Sequence, residues 1–240
     1  SYVPLVDGSQ YPEQGEIDEI LYEPLDFLVD SGNGTISVTQ GLVGSDPGKS
    51  MGGRLTFQGK TIENSGTIDL DSGIIHFKAL EGIRMEPGAK VLAQGKAYQD
   101  GFGNTHYFNG GKVIYETQAG SIALGSSSVT DVSAPAGGGE AGSIHILAPT
   151  ADLDIQGRLL GKAEAGIGGS LYMDARAFAN MTSLGAILQQ SGINNQIDLR
   201  VRQGDVSLAH EVVARSFRLS VDRGSVDLDG MIDASGQDGG

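Results

Sequence analysis

A five-residue unit recurs along this chain and limits its fold more than any other feature. Glycine opens the unit, and apolar residues then alternate with small or polar ones. The copies are Gly66-Thr67-Ile68-Asp69-Leu70, Gly120-Ser121-Ile122-Ala123-Leu124, Gly142-Ser143-Ile144-His145-Ile146, Gly169-Ser170-Leu171-Tyr172-Met173, Gly204-Asp205-Val206-Ser207-Leu208 and Gly224-Ser225-Val226-Asp227-Leu228. Alternation with a period of two marks a strand with one buried face. The opening glycines recur at short, similar intervals, from Gly120 to Gly142 to Gly169 and from Gly204 to Gly224. Repeat architectures have periods of this order. A companion piece leads into glycine runs: Thr130-Asp131-Val132-Ser133 before Gly137-Gly138-Gly139, and Ile232-Asp233-Ala234-Ser235 before Gly239-Gly240. Short strands at this spacing, with glycine at the corners, predict a stacked solenoid. One turn cannot bury its own apolar face, and stacking turns creates a continuous core.

Composition agrees with that reading. Glycine contributes 38 of 240 residues, roughly twice the usual ~7%. It follows no G-X-Y period, which excludes collagen, and the apolar strands between glycines argue against disorder. The absence of cysteine excludes disulfides, thiolate zinc sites and thiol nucleophiles. A net charge of −14 repels nucleic acid. No apolar run approaches the ~18 residues of a membrane span. The chain opens on Ser1 with no signal peptide and stops at a glycine corner, so it reads as a piece of a longer protein.

Residues 1–30 read as a lead-in or linker able to cap the first turn, rich in proline and acids. Ile17, Ile20, Leu21, Leu25, Phe27 and Leu28 need burial there. Residues 31–240 form the solenoid, with residues 98–111 as a projecting loop. In the segment 174–190, apolar Phe178, Met181, Leu184 and Leu188 recur at steps of three and four. That spacing predicts one amphipathic helix lying against the outside of the strand stack. Asp174 is its expected cap and Gly192 its terminator. Within the strands, Ile144 and Ile146 are expected to be buried and His145 exposed. About nine turns at ~4.8 Å each predict a rod of roughly 40 to 45 Å. The strands of residues 225–234 are expected to exchange amide hydrogens faster than the middle of the stack.

The stretch from Arg200 to Gly236, RVRQGDVSLAHEVVARSFRLSVDRGSVDLDGMIDASG, resembles the repeat region of the filamentous-haemagglutinin-like exoproteins of Gram-negative two-partner secretion systems. The similarity covers roughly residues 34–240 and is most specific over 170–240. It implies an all-β fold, a right-handed parallel β-helix, with one short α-helix beside it. It also implies export through an outer-membrane transporter partner, a secreted or cell-surface location, and attachment to a host or bacterial surface receptor, glycans included. The resemblance brings no catalytic residues.

Several patterns invite a chemical reading. Gly44 to Ser50 approaches a phosphate-binding loop, but only three residues separate its glycines and no helix follows. The pairs Asp69/Asp71, Asp152/Asp154 and Asp227/Asp229 each share one strand face. Such acids can hold Ca²⁺ or act as acid and base on a saccharide, or simply be solvated. Their separation in sequence favours the last. His76, His106, His145 and His210 show no metal-ligand spacing. Asn33 and Asn180 begin N-x-[ST] triplets, where sugar attachment is not expected. Tyr98, Phe102, Tyr107 and Phe108 crowd the loop 98–111, either as sugar- or protein-binding contacts or as cover for a gap in the wall. No catalytic, cofactor-binding or metal-ligating residue is assigned, and no cofactor is expected. The sequence thus favours a structural stalk of an adhesin, not an enzyme. The alternative is a β-helix that binds or cleaves carbohydrate.

Overall fold

A computed structural model describes residues 26–39, 52–179 and 181–233, at 181–183 through the backbone alone. The lead-in up to residue 25 and the Gly44–Ser50 segment lie outside the described residues. The described chain is mostly strand, and its sheets are mostly parallel. Eight strands lie side by side in one direction, beginning at Asp26, Arg54, Ile74, Lys112, Ser143, Ser170, Gln196 and Ser216. At ~4.8 Å per strand their seven spacings give a stack of about 34 Å for the described residues. The stack already includes Asp26–Asp30, which pairs with the strand Arg54–Asn64. Its start therefore falls before residue 31.

Further strands stack beside these, each carried by the same turns. Thr35–Val38 pairs with Thr61 to Asn64, and Ile122–Leu124 is held between Ile83 to Met85 and Leu153 to Ile155. A separate four-stranded parallel sheet orders Thr67–Asp69, Lys90–Leu92, Val129–Asp131 and Arg158–Leu160. Two-stranded parallel pairs join Val206–Leu208 to Val226–Leu228 and Val212–Val213 to Ile232–Asp233. Apart from shifts at Gly59/Thr61 and Ala148/Asp152, the partners stay in register while the chain between them varies in length. Arg54 pairs with Ile74 and Gln196 with Ser216, whereas Ile74 pairs with Lys112, nearly twice as far along the chain. The extra residues of that turn hold the hairpin Lys96–Gln99/Thr105–Phe108, the one antiparallel pair among the described residues.

Parallel register puts equivalent side chains directly above one another, and strand parity sends every second one inward. One inward column runs Phe57, Phe77, Tyr115, Ile146, Met173, Leu199, and all six are buried. Its three rings stack face to face, with centroids 5.2 and 5.1 Å apart. Tyr115 is fully buried, and its hydroxyl is satisfied across the interior by Thr130 at 2.7 Å. That partner lies on the four-stranded sheet, so the bond ties two walls together. As expected, Ile144 and Ile146 are buried, whereas His145 on the outer face is half-buried.

The helix spans Met181–Ser191, later than expected. Residues 174–178 instead continue the strand Ser170–Phe178, and Asp174 is no helix cap; its carboxylate is gripped by Arg202. The helix does not lie outside the stack either. Leu184 and Leu188 are buried in the main core, and the helix touches the strands Arg158–Leu160, Val206–Leu208 and Val212–Val213. It stands in the wall, where that turn would otherwise supply a strand to the four-stranded sheet. Leu184 and Leu188 are one helical turn apart, so one face of the helix performs the burial that alternation performs elsewhere. Gly192 ends it as expected, with a φ of 70°. The Ser191 hydroxyl closes the end by donating to the Leu188 carbonyl and accepting from the Ile193 amide.

At the first strand Asp26–Asp30 and at the strand Val226–Leu228 the apolar side chains are exposed. The apolar character of Phe27 and Leu28 calls for burial, yet they are 58% and 62% exposed. Val226 is 46% exposed, whereas its register partner Val206 is 1% exposed.

Ile146→Asp is expected to destabilise the protein by several kcal/mol, because the new carboxylate has no partner between Tyr115 and Met173. Urea unfolding measures this. A midpoint equal to that of the parent chain would mean that Ile146 does not face the core.

Candidate functional site

The hairpin at residues 96–108 is the most built-up feature outside the walls. Its strands pair Lys96 with Phe108 and Tyr98 with His106. The turn between them is organised on one carboxylate. Asp100 Oδ1 accepts from the backbone amides of Phe102 and Asn104, both at 2.9 Å. Asp100 Oδ2 accepts from Asn104 Nδ2 and pairs with His106 Nε2, both at 3.0 Å. These bonds hold the Asp100 carboxyl well below the usual carboxylate range, the His106 bond contributing most. The fixed turn presents Phe102, which is 92% exposed. Tyr98, Tyr107 and Phe108 are exposed as well. Tyr107 also leans on the neighbouring loop, where a Cβ on Gly138 would strike its ring. The base of the hairpin is tied down by the Lys96–Asp71 ion pair and by the Glu140 amide donating to Asn109.

The outer face of the long sheet carries a second group of polar residues. His145 lies against the ring of Tyr172, with centroids 4.4 Å apart. Burial, assisted by the charge of Lys112, pushes the imidazole down to about 4, so it is neutral at pH 7. Below it runs a set of arginine–aspartate clasps, each joining consecutive turns: Arg176 to Asp152, Arg202 to Asp174 and Arg200 to Asp222. Two parallel N–H···O bonds form in each clasp, which suits the planar guanidinium. Arg200, then its electrostatic neighbours, keeps the Asp222 carboxyl below its ordinary value.

The acid pairs noted in the sequence do not converge. Asp69, Asp152/Asp154 and Asp227 lie on strands that are not neighbours. Asp71 pairs with Lys96, Asp152 with Arg176, and Asp154 accepts from Gln156. Among the described residues no three carboxylate or imidazole side chains gather as metal ligands. The histidines are equally dispersed. His76 pairs with Glu116 at 3.0 Å, His106 belongs to the hairpin turn, and His210 packs its ring on the helix glycine Gly185. Asn33 is exposed in a turn, and Asn180 lies outside the described residues.

A recess of about 860 Å³ lies between the helix and the turn of residues 156–164, lined by Arg158, Leu159, Lys162 and Ile187 among others. No motif in the sequence pointed to it. It exists because residues far apart in the chain meet there. Among the described residues no helix is long and apolar enough to cross a membrane. Comparison with protein-family models, with curated proteins and with solved structures finds no match.

The titration of His145 tests the outer face. Its folded-state value is depressed below the ordinary 6.5, so its contribution to stability is present above pH 6.5 and is lost as pH falls towards about 4. Its imidazole resonances are expected to titrate near pH 4, while stability declines between these limits. A midpoint at the ordinary value would show that His145 is solvated.

Proposed function

We propose that this chain is a segment of a right-handed parallel β-helix serving as a rigid stalk in a secreted or surface-exposed bacterial attachment protein. The observation that carries this reading is the in-register parallel stack with one anchored hairpin rising from it. A column of rungs bonded through their backbones resists bending, and turn length is free to vary at the corners. Such a body suits the display of a contact element at a distance. The hairpin has the properties of that element: a pre-organised turn and an aromatic ring held out in water. The resemblance to filamentous-haemagglutinin-like exoproteins supports the same assignment, with export through an outer-membrane transporter and a surface receptor, glycan or protein, as the partners.

Saccharide cleavage is the second reading, and the side chains favour it less. Cleavage needs one carboxyl kept protonated and another free as base or nucleophile, facing each other across a groove. Here Asp152, Asp174 and Asp222 are each engaged by an arginine.

Beads coated with the protein are expected to attach to a panel of epithelial and bacterial cells. Phe102→Ala with Tyr98→Ala should reduce attachment at least about fivefold without changing the melting temperature, as for exposed aromatic anchors. Equal attachment by the variant removes the hairpin from the contact. Reproducible depolymerisation of a polysaccharide panel by the parent chain would replace the stalk reading with the enzymatic one.

A further inference from the structure

We propose that the recess beneath the helix Met181–Ser191 binds an extended peptide segment in which aliphatic and acidic residues alternate. The recess follows from the helix standing in the wall. A helix is about 10 Å across, whereas successive rungs are ~4.8 Å apart. A helix in a rung's place therefore meets the turn of residues 156–164 along only part of its width. The space left, about 860 Å³, falls within the usual range for ligand sites.

Its lining selects the occupant. Its accessible aliphatic lining is Leu160 and Ile187, both partly exposed. The rim carries the side-chain amides of Gln190 and Asn194, each able to donate and to accept, as a peptide backbone does. Arg158 and Lys162 stand at the same rim. In a chain of net charge −14, neither has a carboxylate within 4.0 Å among the described residues, whereas Arg176, Arg200 and Arg202 on the long sheet are each clasped by an aspartate. Glu164 is the one acid on the lining among the described residues, so that part of the rim is net positive. These two cations attract acidic groups, and the aliphatic side accepts the residues between them. No aromatic ring lines the recess among the described residues, which disfavours a saccharide, whose C–H faces pack on rings. The site is separate from the hairpin and does not depend on what the hairpin contacts.

Fluorescence anisotropy with a labelled octapeptide of alternating leucine and glutamate tests this on the whole chain. Saturable binding is expected, weakened by salt because it rests on exposed charges. Arg158→Glu with Lys162→Glu should weaken binding at least about tenfold, a loss of ~1.4 kcal/mol. Ala186→Trp, which fills the recess, should abolish binding independently of charge. Thermal unfolding of both variants checks that they keep the fold. The proposal is overturned if the parent chain does not bind the peptide, or if both folded variants bind it as the parent does. Oligogalacturonate binding at the recess in place of the peptide would overturn it too, and would assign the site to an acidic saccharide.

Discussion

Parallel backbone pairing in register, shifted only at Gly59/Thr61 and Ala148/Asp152 among the described pairs, is the constraint on which the rest of this structure depends. Each strand offers the next a row of amides and carbonyls at fixed spacing, and side-chain parity must agree from one strand to the next. A slip by one residue would send an entire column from the core to the solvent. The columns follow from that rule: Ile75 above Val113, Ile144 and Leu171, and three rings in face-to-face contact from Phe57 to Tyr115. The rule says nothing about the length of chain between partners, because the corners sit outside the ladder. The short turn from Gln196 to Ser216 and the long one from Ile74 to Lys112 therefore coexist in one stack, and the longer one can carry a hairpin.

The helix shows how far the constraint can bend. In the turn after Ser170–Phe178 no strand among the described residues extends the sheet that ends with Arg158–Leu160. The helix buries Leu184 and Leu188 in its place, and the core remains continuous to Val212. Two costs of the exchange are visible at its surface. A glycine, Gly185, is needed where the ring of His210 packs on the helix. A recess opens where the helix and the preceding turn do not match in width. The recess beside the helix thus arises where the helix interrupts the run of strands.

The repeat itself was legible because each strand encodes its own parity. Gly142-Ser143-Ile144-His145-Ile146 states which residues face inward, and the structure buries Ile144 and Ile146. The helix was legible in its second half only. Tyr172, Asp174 and Arg176 continue the outer face of a strand, but Phe178 and Met181 also fit a helical spacing. The two periods overlap, and periodicity alone places the boundary too early. Local periodicity could not say that the helix would enter the wall, because that depends on which partner strand is missing. The segment 98–111 reads from its composition as a loop, whereas most of it belongs to the hairpin Lys96–Gln99/Thr105–Phe108. The single carboxylate of Asp100 that organises its turn was not evident, since Asp-Gly-Phe-Gly-Asn fits several turns. The recess had no local signal, because Arg158 and Ile187 meet only through stacking.

Cysteine crosslinking across neighbouring turns tests the register most directly, and the natural absence of cysteine makes it clean. Asp198 and Arg218 are register partners on the outer face, as are His76 and Ile114 on either side of the long turn. Partners on adjacent strands lie about 4.8 Å apart, within the range that a disulfide spans. Replacing both members of either pair by cysteine should give rapid, near-complete intramolecular disulfide formation under mild oxidation. Pairing Asp198→Cys with Ser220→Cys shifts the partner two residues along the strand, to about 8 Å, beyond disulfide reach. Efficient crosslinking of that shifted pair, or failure of the His76–Ile114 pair, would contradict the stack described here.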